Sequence, residues 1–209
     1  MYIKTVLHEA TVTIIHDKIE DLLKQYNPDN YDRITLTLGK FYKYGNGLRF
    51  NPNLKKTKFN KVIDILESEP GFWDQMNSES FTERSYKNYY ERKSKIGSII
   101  ERNKIINSEH KTIRVPESPI DIRLSSYKEK IYTKEVKSAK ALVSNKVQSI
   151  FIKEFVKIIC TTNSRPNKNN REYVNYSIEI ELIPGLIGRY PLNYVIHAIV
   201  AHVELLLGE

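Results

Sequence analysis

The sequence has a single cysteine, Cys160, among its 209 residues. This excludes a disulfide framework and a zinc site made of several cysteines. Cys160 lies in an apolar run, which predicts a small core residue rather than a nucleophile. The sequence also lacks the run of about 18 apolar residues that a membrane-spanning helix needs, and residues 1–5 do not resemble the core of a signal peptide. We therefore expect an intracellular, soluble protein without a membrane part.

Charge is abundant but unevenly distributed. The 33 Lys and Arg residues exceed the 25 Asp and Glu residues, giving a formal net charge of +8. From Val174 onward there are one basic and four acidic residues, so residues 1–173 carry a net charge of +11. A basic balance favours an anionic partner, with nucleic acid or phosphates first. A lysine-rich solvated surface would produce the same balance.

The hydrophobic pattern predicts helices near both ends of the chain and many strands between them. Helical spacing of apolar residues covers residues 9–25, a second helix follows Asn53, and Pro191 opens a last helix that extends to residue 207. The predicted strands are Arg33–Leu38, Glu83–Arg92, Ser98–Ile106, Ile120–Ser126, Lys130–Val136, Lys140–Asn145, Ile150–Ile159 and Tyr173–Ile183. Consecutive strands without crossover helices indicate an α+β protein with a mostly antiparallel, closed β-barrel and helices packed outside. We expect one domain over residues 1–209, with the barrel at about 31–183.

The strand near residue 180 has the clearest chemical pattern. Its period of two places Ser177, Glu179 and Glu181 on one face. Two carboxylates about 7 Å apart on one strand face can bind a hard divalent cation through oxygen. The alternative is a solvent-facing strand with ordinary surface glutamates.

Other predicted strands carry charged residues that could share an interior with these glutamates. Asp121, Arg123 and Ser125 alternate on one strand, and Arg102 and Lys104 share a face on another. Lys140 and Glu154 lie on two further predicted strands. A barrel interior with both acidic and basic residues would suit a metal–polyphosphate ligand, because carboxylates hold the metal while Arg and Lys contact phosphate oxygens.

Five segments, taken in order, resemble the metal-dependent RNA triphosphatases of fungal and viral mRNA capping, within the triphosphate tunnel metalloenzymes. The segments are Leu38–Lys40, Phe50–Phe59, Ile100–Ile105, Asp121–Ser125 and Ser177–Leu182. The resemblance runs from roughly Arg33 to Leu182 and implies the tunnel-shaped barrel of that family. It also implies removal of the γ-phosphate from a 5′-triphosphate RNA end with Mg²⁺ or Mn²⁺. The bound partner would be such an RNA end or a nucleotide polyphosphate.

The resemblance implies specific roles for individual residues. Glu179 and Glu181 would be metal ligands, and Glu154 and Glu181 would be the catalytic carboxylates. The phosphate-binding residues would be Arg102, Lys104, Arg123 and Lys140. A guanylyltransferase or another capping or transcription subunit would be the expected protein partner.

Departures from the family pattern leave the activity open. Arg33 and Thr35 stand where the family has the two glutamates of its first metal-binding strand, and Thr37 stands at an arginine position. Thr cannot supply a carboxylate, and Arg33 facing the interior would repel a cation. A bulge that turns Asp32 inward would be one compensation. The competing hypothesis is a catalytically degenerate tunnel protein, acting as a subunit or scaffold of a capping or transcription complex or as a binder of 5′-triphosphate ends.

The histidines of the last helix are interpreted as ordinary side chains. His197 and His202 are five residues apart, so they do not share a helix face in the way a metal-binding pair does. The helix around them is apolar nearly all round, which favours a core position over a partner surface.

Overall fold

The computed structural model describes residues 9–25, 33–45, 47–95, 97–115, 118, 120–135, 137–138, 140–166 and 172–207. The helices are α1 (Glu9–Gln25), α2 (Lys56–Ser68), α3 (Pro184–Ile187) and α4 (Leu192–Leu207), with a 3₁₀ turn at Pro70–Phe72. The strands are β1 (Arg33–Tyr44), β2 (Gly47–Asn51), β3 (Gln75–Tyr86), β4 (Tyr89–Ser94), β5 (Ile99–Ile113), β6 (Asp121–Ile131), β7 (Leu142–Lys153), β8 (Val156–Pro166) and β9 (Glu172–Leu182).

Eight of the strands form a closed antiparallel barrel. Their order around the barrel is β1-β6-β5-β4-β3-β7-β8-β9, and β1 closes it by pairing with β9. Strand β2 continues the sheet outside the barrel as a hairpin with β1. The predicted α+β fold with a closed antiparallel barrel is confirmed.

The outer face of the barrel is apolar where the helices cover it. Ile34, Leu36 and Leu38 of β1 are fully buried. They belong to one hydrophobic cluster with helix residues such as Ile15 of α1 and Ile199 of α4. Because side chains alternate along a strand, this outward apolar set turns the polar residues of β1 into the barrel. Within the described residues, no helix combines the length and apolar character needed to cross a membrane.

Two predicted strands are wrong because each contains a hairpin. Glu83–Arg92 crosses the turn between β3 and β4, where Tyr86 pairs with Tyr89 around Lys87 at φ 53°. Ile150–Ile159 crosses the turn between β7 and β8, with Glu154 at φ 53°. Hairpin turns of two residues need a left-handed backbone at one or both positions, and neither Lys87 nor Glu154 is a residue type that signals it.

Two more predicted strands are wrong in their bounds. Lys130–Val136 leaves the strand conformation after Ile131, where β6 ends; Val136 itself lies outside the described residues. Lys140 precedes β7, which begins at Leu142 and continues to Lys153.

Candidate functional site in the barrel interior

The barrel interior begins where β1 and β9 meet. Thr35 pairs with Glu181 and Thr37 with Glu179 in the antiparallel register. Paired residues point to the same side of a sheet, so these four side chains face inward together, as predicted for Glu179 and Glu181. Thr35 and Thr37 are 2% and 1% exposed. Part of the interior is open as a cavity of about 280 Å³, whose lining includes Arg33 and Glu179. We call this interior the tunnel.

Arg33 occupies the tunnel as an internal cation. Its Nη2 lies 3.1 Å from Oε1 of Glu129, and its Nη1 lies 3.9 Å from Oε2 of Glu181. Burial alone would lower the pKa of Arg33, but the charges of Glu129, Glu181 and Glu179 raise it above its ordinary value. The guanidinium also lies 4.9 Å from the ring centre of Tyr127. The side chain is therefore held in place on two sides and remains charged.

A second ion-pair group lies on β3, β4, β5 and β7. Glu83 accepts hydrogen bonds from Nζ of Lys146 at 2.8 Å and from Nε of Arg92 at 3.1 Å. Arg92 also donates to Glu101 at 2.9 Å. Burial works to raise the pKa of Glu83, but the charges and hydrogen bonds of Lys146 and Arg92 hold it below its ordinary value. This carboxylate is ionised at neutral pH.

Tyr90 links the two ion-pair groups. Its hydroxyl donates to Oε2 of Glu129 at 2.7 Å and accepts from Nδ2 of Asn103 at 3.0 Å. Burial raises the pKa of Tyr90, and the hydrogen bond to Glu129 raises it further. Tyr90 is therefore a neutral donor at physiological pH rather than a base.

The tunnel cations are matched by tunnel carboxylates. Lys157 completes the set with its Nζ 3.6 Å from Oε1 of Glu181. The paired cations are Arg33, Arg92, Lys146 and Lys157, and the paired carboxylates are Glu83, Glu101, Glu129 and Glu181. A charged guest bound against these eight side chains would compete with the pairs, which are largely removed from solvent.

The Phe50 ring of β2 lies close to the backbone of β1 at Gly39. A side chain at Gly39 would overlap the Phe50 ring and the backbone of Asn51, so only glycine allows this close approach. The guanidinium of Arg123 lies 4.8 Å from the centre of the same ring. Asp121 points its carboxylate at the backbone, accepting from the N–H of Phe41 at 2.9 Å.

The residues of the tunnel do not fit a divalent cation. Glu179 and Glu181 are opposed by two threonines on β1, and Glu181 already faces Arg33. Among the described residues, the only group of three metal-ligating side chains with ligand atoms within 4.8 Å of one another is on α1, outside the barrel. Asp32, the predicted compensation, lies outside the described residues. A hard cation needs several oxygen ligands, and β1 contributes no carboxylate to this region.

The predicted tunnel position of Arg102 and Lys104 is wrong. Arg102 pairs in register with Glu91 and donates to its carboxylate, and it also donates to the carbonyl of Thr133 at 3.1 Å. Lys104 lies 5.1 Å from the ring centre of Tyr89. The opposite face of β5 turns inward and carries Glu101. Both faces of this strand are polar, so hydrophobicity could not decide which one is internal.

The predicted tunnel positions of Glu154 and Lys140 are also wrong. Glu154 lies in the β7–β8 turn, where its carboxylate accepts a hydrogen bond from the hydroxyl of Tyr194 at 2.9 Å and its N–H donates to Asp74 at 2.7 Å. Lys140 is exposed in a turn before β7. The structure brings together only Glu179, Glu181 and Arg123 from the predicted set.

The prediction missed most of the ion-paired residues. Glu129 continues the alternation Asp121-Arg123-Ser125 of β6 by two further steps, and that alternation was a usable signal. Glu83 and Arg92 are brought opposite each other by the β3–β4 hairpin, whose turn the sequence marks only with Asn88. Apart from the charge of Lys146 and Lys157, nothing in the sequence indicates that these lysines lie in the tunnel.

RNA triphosphatases are among the solved structures with a similar fold. The S. pombe Pct1 RNA triphosphatase in complex with the Spt5 CTD matches with a TM-score of 0.73 at 13% identity, covering 99% of this chain and 95% of that one. Pct1 on its own matches with a TM-score of 0.71 at 14% identity, with the same coverage. The mimivirus capping enzyme triphosphatase matches with a TM-score of 0.55 at 12% identity, covering 97% of this chain and 99% of that one.

No protein-family model and no curated protein sequence matches the chain. At sequence identities of 12–14%, the similarity to these solved structures establishes the fold of the chain and not its activity. The resemblance found in the sequence is therefore confirmed at that level, and the chain has the triphosphate tunnel fold of the fungal and viral RNA triphosphatases.

Proposed function

We propose that this chain is a catalytically degenerate triphosphate-tunnel protein that serves as a subunit of an mRNA capping or transcription assembly. The observation that carries the proposal is the position of Arg33. Its guanidinium lies against Glu129 and Glu181, in the part of the tunnel where a divalent cation would need Glu181 as a ligand. Metal-dependent phosphate hydrolysis relies on the cation to activate water and neutralise phosphate charge.

The internal pairing of the tunnel supports a structural role. A 5′-triphosphate end would bring several negative charges against the four carboxylates that the tunnel cations already hold. Leaving one partner of a buried ion pair unpaired costs about 3–5 kcal/mol, and the cost is smaller where the side chains keep some contact with solvent, as they do here. In this proposal the same pairs link neighbouring strands of the barrel, and the outer surfaces bind the partner.

Similar structures support the choice of assembly. One of the Pct1 structures contains the Spt5 CTD, so a protein of this fold binds a segment of another protein. By analogy, we expect this chain to contact a guanylyltransferase or another capping or transcription subunit in the cell interior.

An active triphosphatase is the second candidate. Glu179 and Glu181 lie on adjacent inward positions of β9, next to Arg123 and Thr37 in the register. These groups retain part of the expected set of metal and phosphate ligands. Activity with Mg²⁺ or Mn²⁺ would require the Glu181 carboxylate to separate from the Arg33 guanidinium. The divalent cation would also need ligands besides Glu179 and Glu181.

Phosphate release from RNA distinguishes the two candidates. The chain is incubated with γ-labelled 5′-triphosphate RNA and Mg²⁺ or Mn²⁺, beside the variants Glu181→Ala and Glu67→Ala, the second an exposed carboxylate on α2. We expect the three proteins to release phosphate at the same background rate. Release that is abolished by Glu181→Ala and preserved in Glu67→Ala would contradict the proposal and establish the enzyme.

A further inference from the structure

A cluster of metal-ligating side chains lies where α1 meets α4, outside the barrel. On α1, His16, Asp17 and Glu20 place one ligand atom each within 4.8 Å of one another. His16 and Glu20 are four residues apart, so they lie on the same face of the helix. On α4, the ring of His197 contacts the ring of His16, with 5.7 Å between the ring centres and 78° between the ring planes. The cluster thus joins two elements that are distant in sequence.

The spacing of the two imidazoles suits one shared metal ion. Two histidine rings bound to a tetrahedral Zn²⁺ at about 2.0 Å have ring centres about 5 Å apart. The ring centres of His16 and His197 are 5.7 Å apart before any ion is present. Only His16, Asp17 and Glu20 have ligand atoms within 4.8 Å of one another, so a shared ion requires the His197 ring to turn towards them.

One ring nitrogen of His197 is held by the backbone of its own helix. Its Nδ1 lies 2.6 Å from the backbone carbonyl of Asn193, which accepts the ring N–H. This hydrogen bond leaves the lone pair on Nε2, the atom that would bind the metal. Metal-binding histidines commonly have their second ring nitrogen fixed in this way. This observation is independent of the carboxylates on α1.

From this geometry we propose that His16, Glu20 and His197, with Asp17, form a site for a transition-metal ion such as Zn²⁺. The ion would join α1 to α4 and hold both helices against the barrel. Two histidines and carboxylates make a donor set that zinc accepts. Glu20 now pairs with Nζ of Lys24 at 2.7 Å, so this lysine competes with the metal for Glu20. The site is separate from the tunnel and does not depend on its function.

Calorimetric titration of Zn²⁺ into the chelator-treated chain tests the site. We expect one saturable site and a rise in melting temperature. His16→Ala and His197→Ala should each weaken binding about tenfold or more and remove the thermal shift. Both histidines are at least partly exposed, so these variants should retain the fold, which circular dichroism checks. Co²⁺ provides a second readout, because a tetrahedral site produces intense visible absorption.

Two control variants separate this site from adventitious metal binding. Lys24→Ala removes the competitor and should strengthen binding, whereas Asp21→Asn, an exposed acidic residue on the same helix, should leave it unchanged. Absence of saturable binding, or affinity that neither histidine variant changes, would overturn the proposal. Loss of affinity in Lys24→Ala would also contradict it.

Discussion

At the scale of single residues, Arg33 explains the difference between this tunnel and a metal-binding one. A guanidinium supplies positive charge and several hydrogen-bond donors in a fixed plane. It can therefore hold Glu129 and Glu181 together, as a cation would, without the Lewis acidity that polarises phosphate. With Arg33 between these carboxylates, the tunnel contains its own cation.

Removing this internal cation should destabilise the fold. In Arg33→Ala, Glu129 and Glu181 lose a common partner while their side chains stay 12% and 18% exposed. We expect the free energy of unfolding to fall by about 3 kcal/mol at pH 7, measured by urea denaturation. Arg33→Lys should lose less, because an ammonium can still pair with one carboxylate. A loss no larger than that of Arg49→Ala, at an exposed position on β2, would contradict this role.

Glu83 should make the stability depend on acid pH. Its pKa is lower in the folded chain than the ordinary value of 4.5, despite burial, because Lys146 and Arg92 favour the ionised form. The resulting stability is complete above the unfolded pKa and is lost as the pH falls through the folded pKa. We therefore expect Glu83→Gln to be less stable than wild type at pH 7, with a difference that shrinks below about pH 4.5.

The matched control for Glu83 is Glu79→Gln, an exposed position four residues earlier on β3. Denaturation at a series of pH values should show little pH-dependent difference between this control and wild type. A stability difference for Glu83→Gln that stays constant from neutral to strongly acidic pH would show that the carboxylate is not stabilised by its cations.

At the scale of secondary-structure elements, strands with one apolar face were predictable. Ile34, Leu36 and Leu38 fix the orientation of β1, and the alternation on β9 does the same for Glu179 and Glu181. A shift by one residue would bury the polar set under the helices. The sequence could therefore place Arg33 and Thr35 in the tunnel before the barrel was seen.

Elements without an apolar face were not predictable in the same way. On β5, Glu101 and Arg102 are both polar, and only pairing with β4 determines which one enters the tunnel. The β7–β8 hairpin has no glycine or asparagine at its turn, so its two strands resemble one continuous strand. The inward face of β5 and the position of the β7–β8 turn are both determined by tertiary context and not by local strand propensity.

The β7–β8 turn can be tested by substitution at Glu154. Its φ of 53° suits asparagine and is strained for a β-branched residue. We expect Glu154→Asn to change stability by less than about 1 kcal/mol, and Glu154→Val to destabilise by about 1–3 kcal/mol, in thermal or urea unfolding. A continuous strand would reverse this order, since valine is the better strand former.

At the scale of the whole molecule, the ion pairs show where the net charge lies. Four tunnel cations are paired with four tunnel carboxylates, so these pairs contribute nothing to the formal charge of +8. The basic excess belongs mainly to the remaining surface, where it can attract anionic partners. The acidic segment after Val174 contributes Glu179 and Glu181 to the interior of the same barrel.

The resemblance implies both the tunnel fold and a metal site, and these two properties are distinct. The barrel architecture of the RNA triphosphatases is present over nearly the whole chain, whereas β1 carries Arg33 and Thr35 at the positions where the resemblance implies two metal-binding glutamates. Barrel closure depends on backbone pairing and the apolar outer face, which these two residues leave intact. Loss of a metal site and retention of the fold are thus compatible in physical terms.

Binding of Mn²⁺ to the tunnel tests this account most directly. The titration, followed by electron paramagnetic resonance, uses His197→Ala as the background, so that the α1–α4 cluster does not contribute. We predict no site tighter than about 1 mM, the weak end of protein sites for hard cations, and no change on adding Glu181→Ala. A tighter site that Glu181→Ala abolishes would contradict the claim that Arg33 takes the place of the metal.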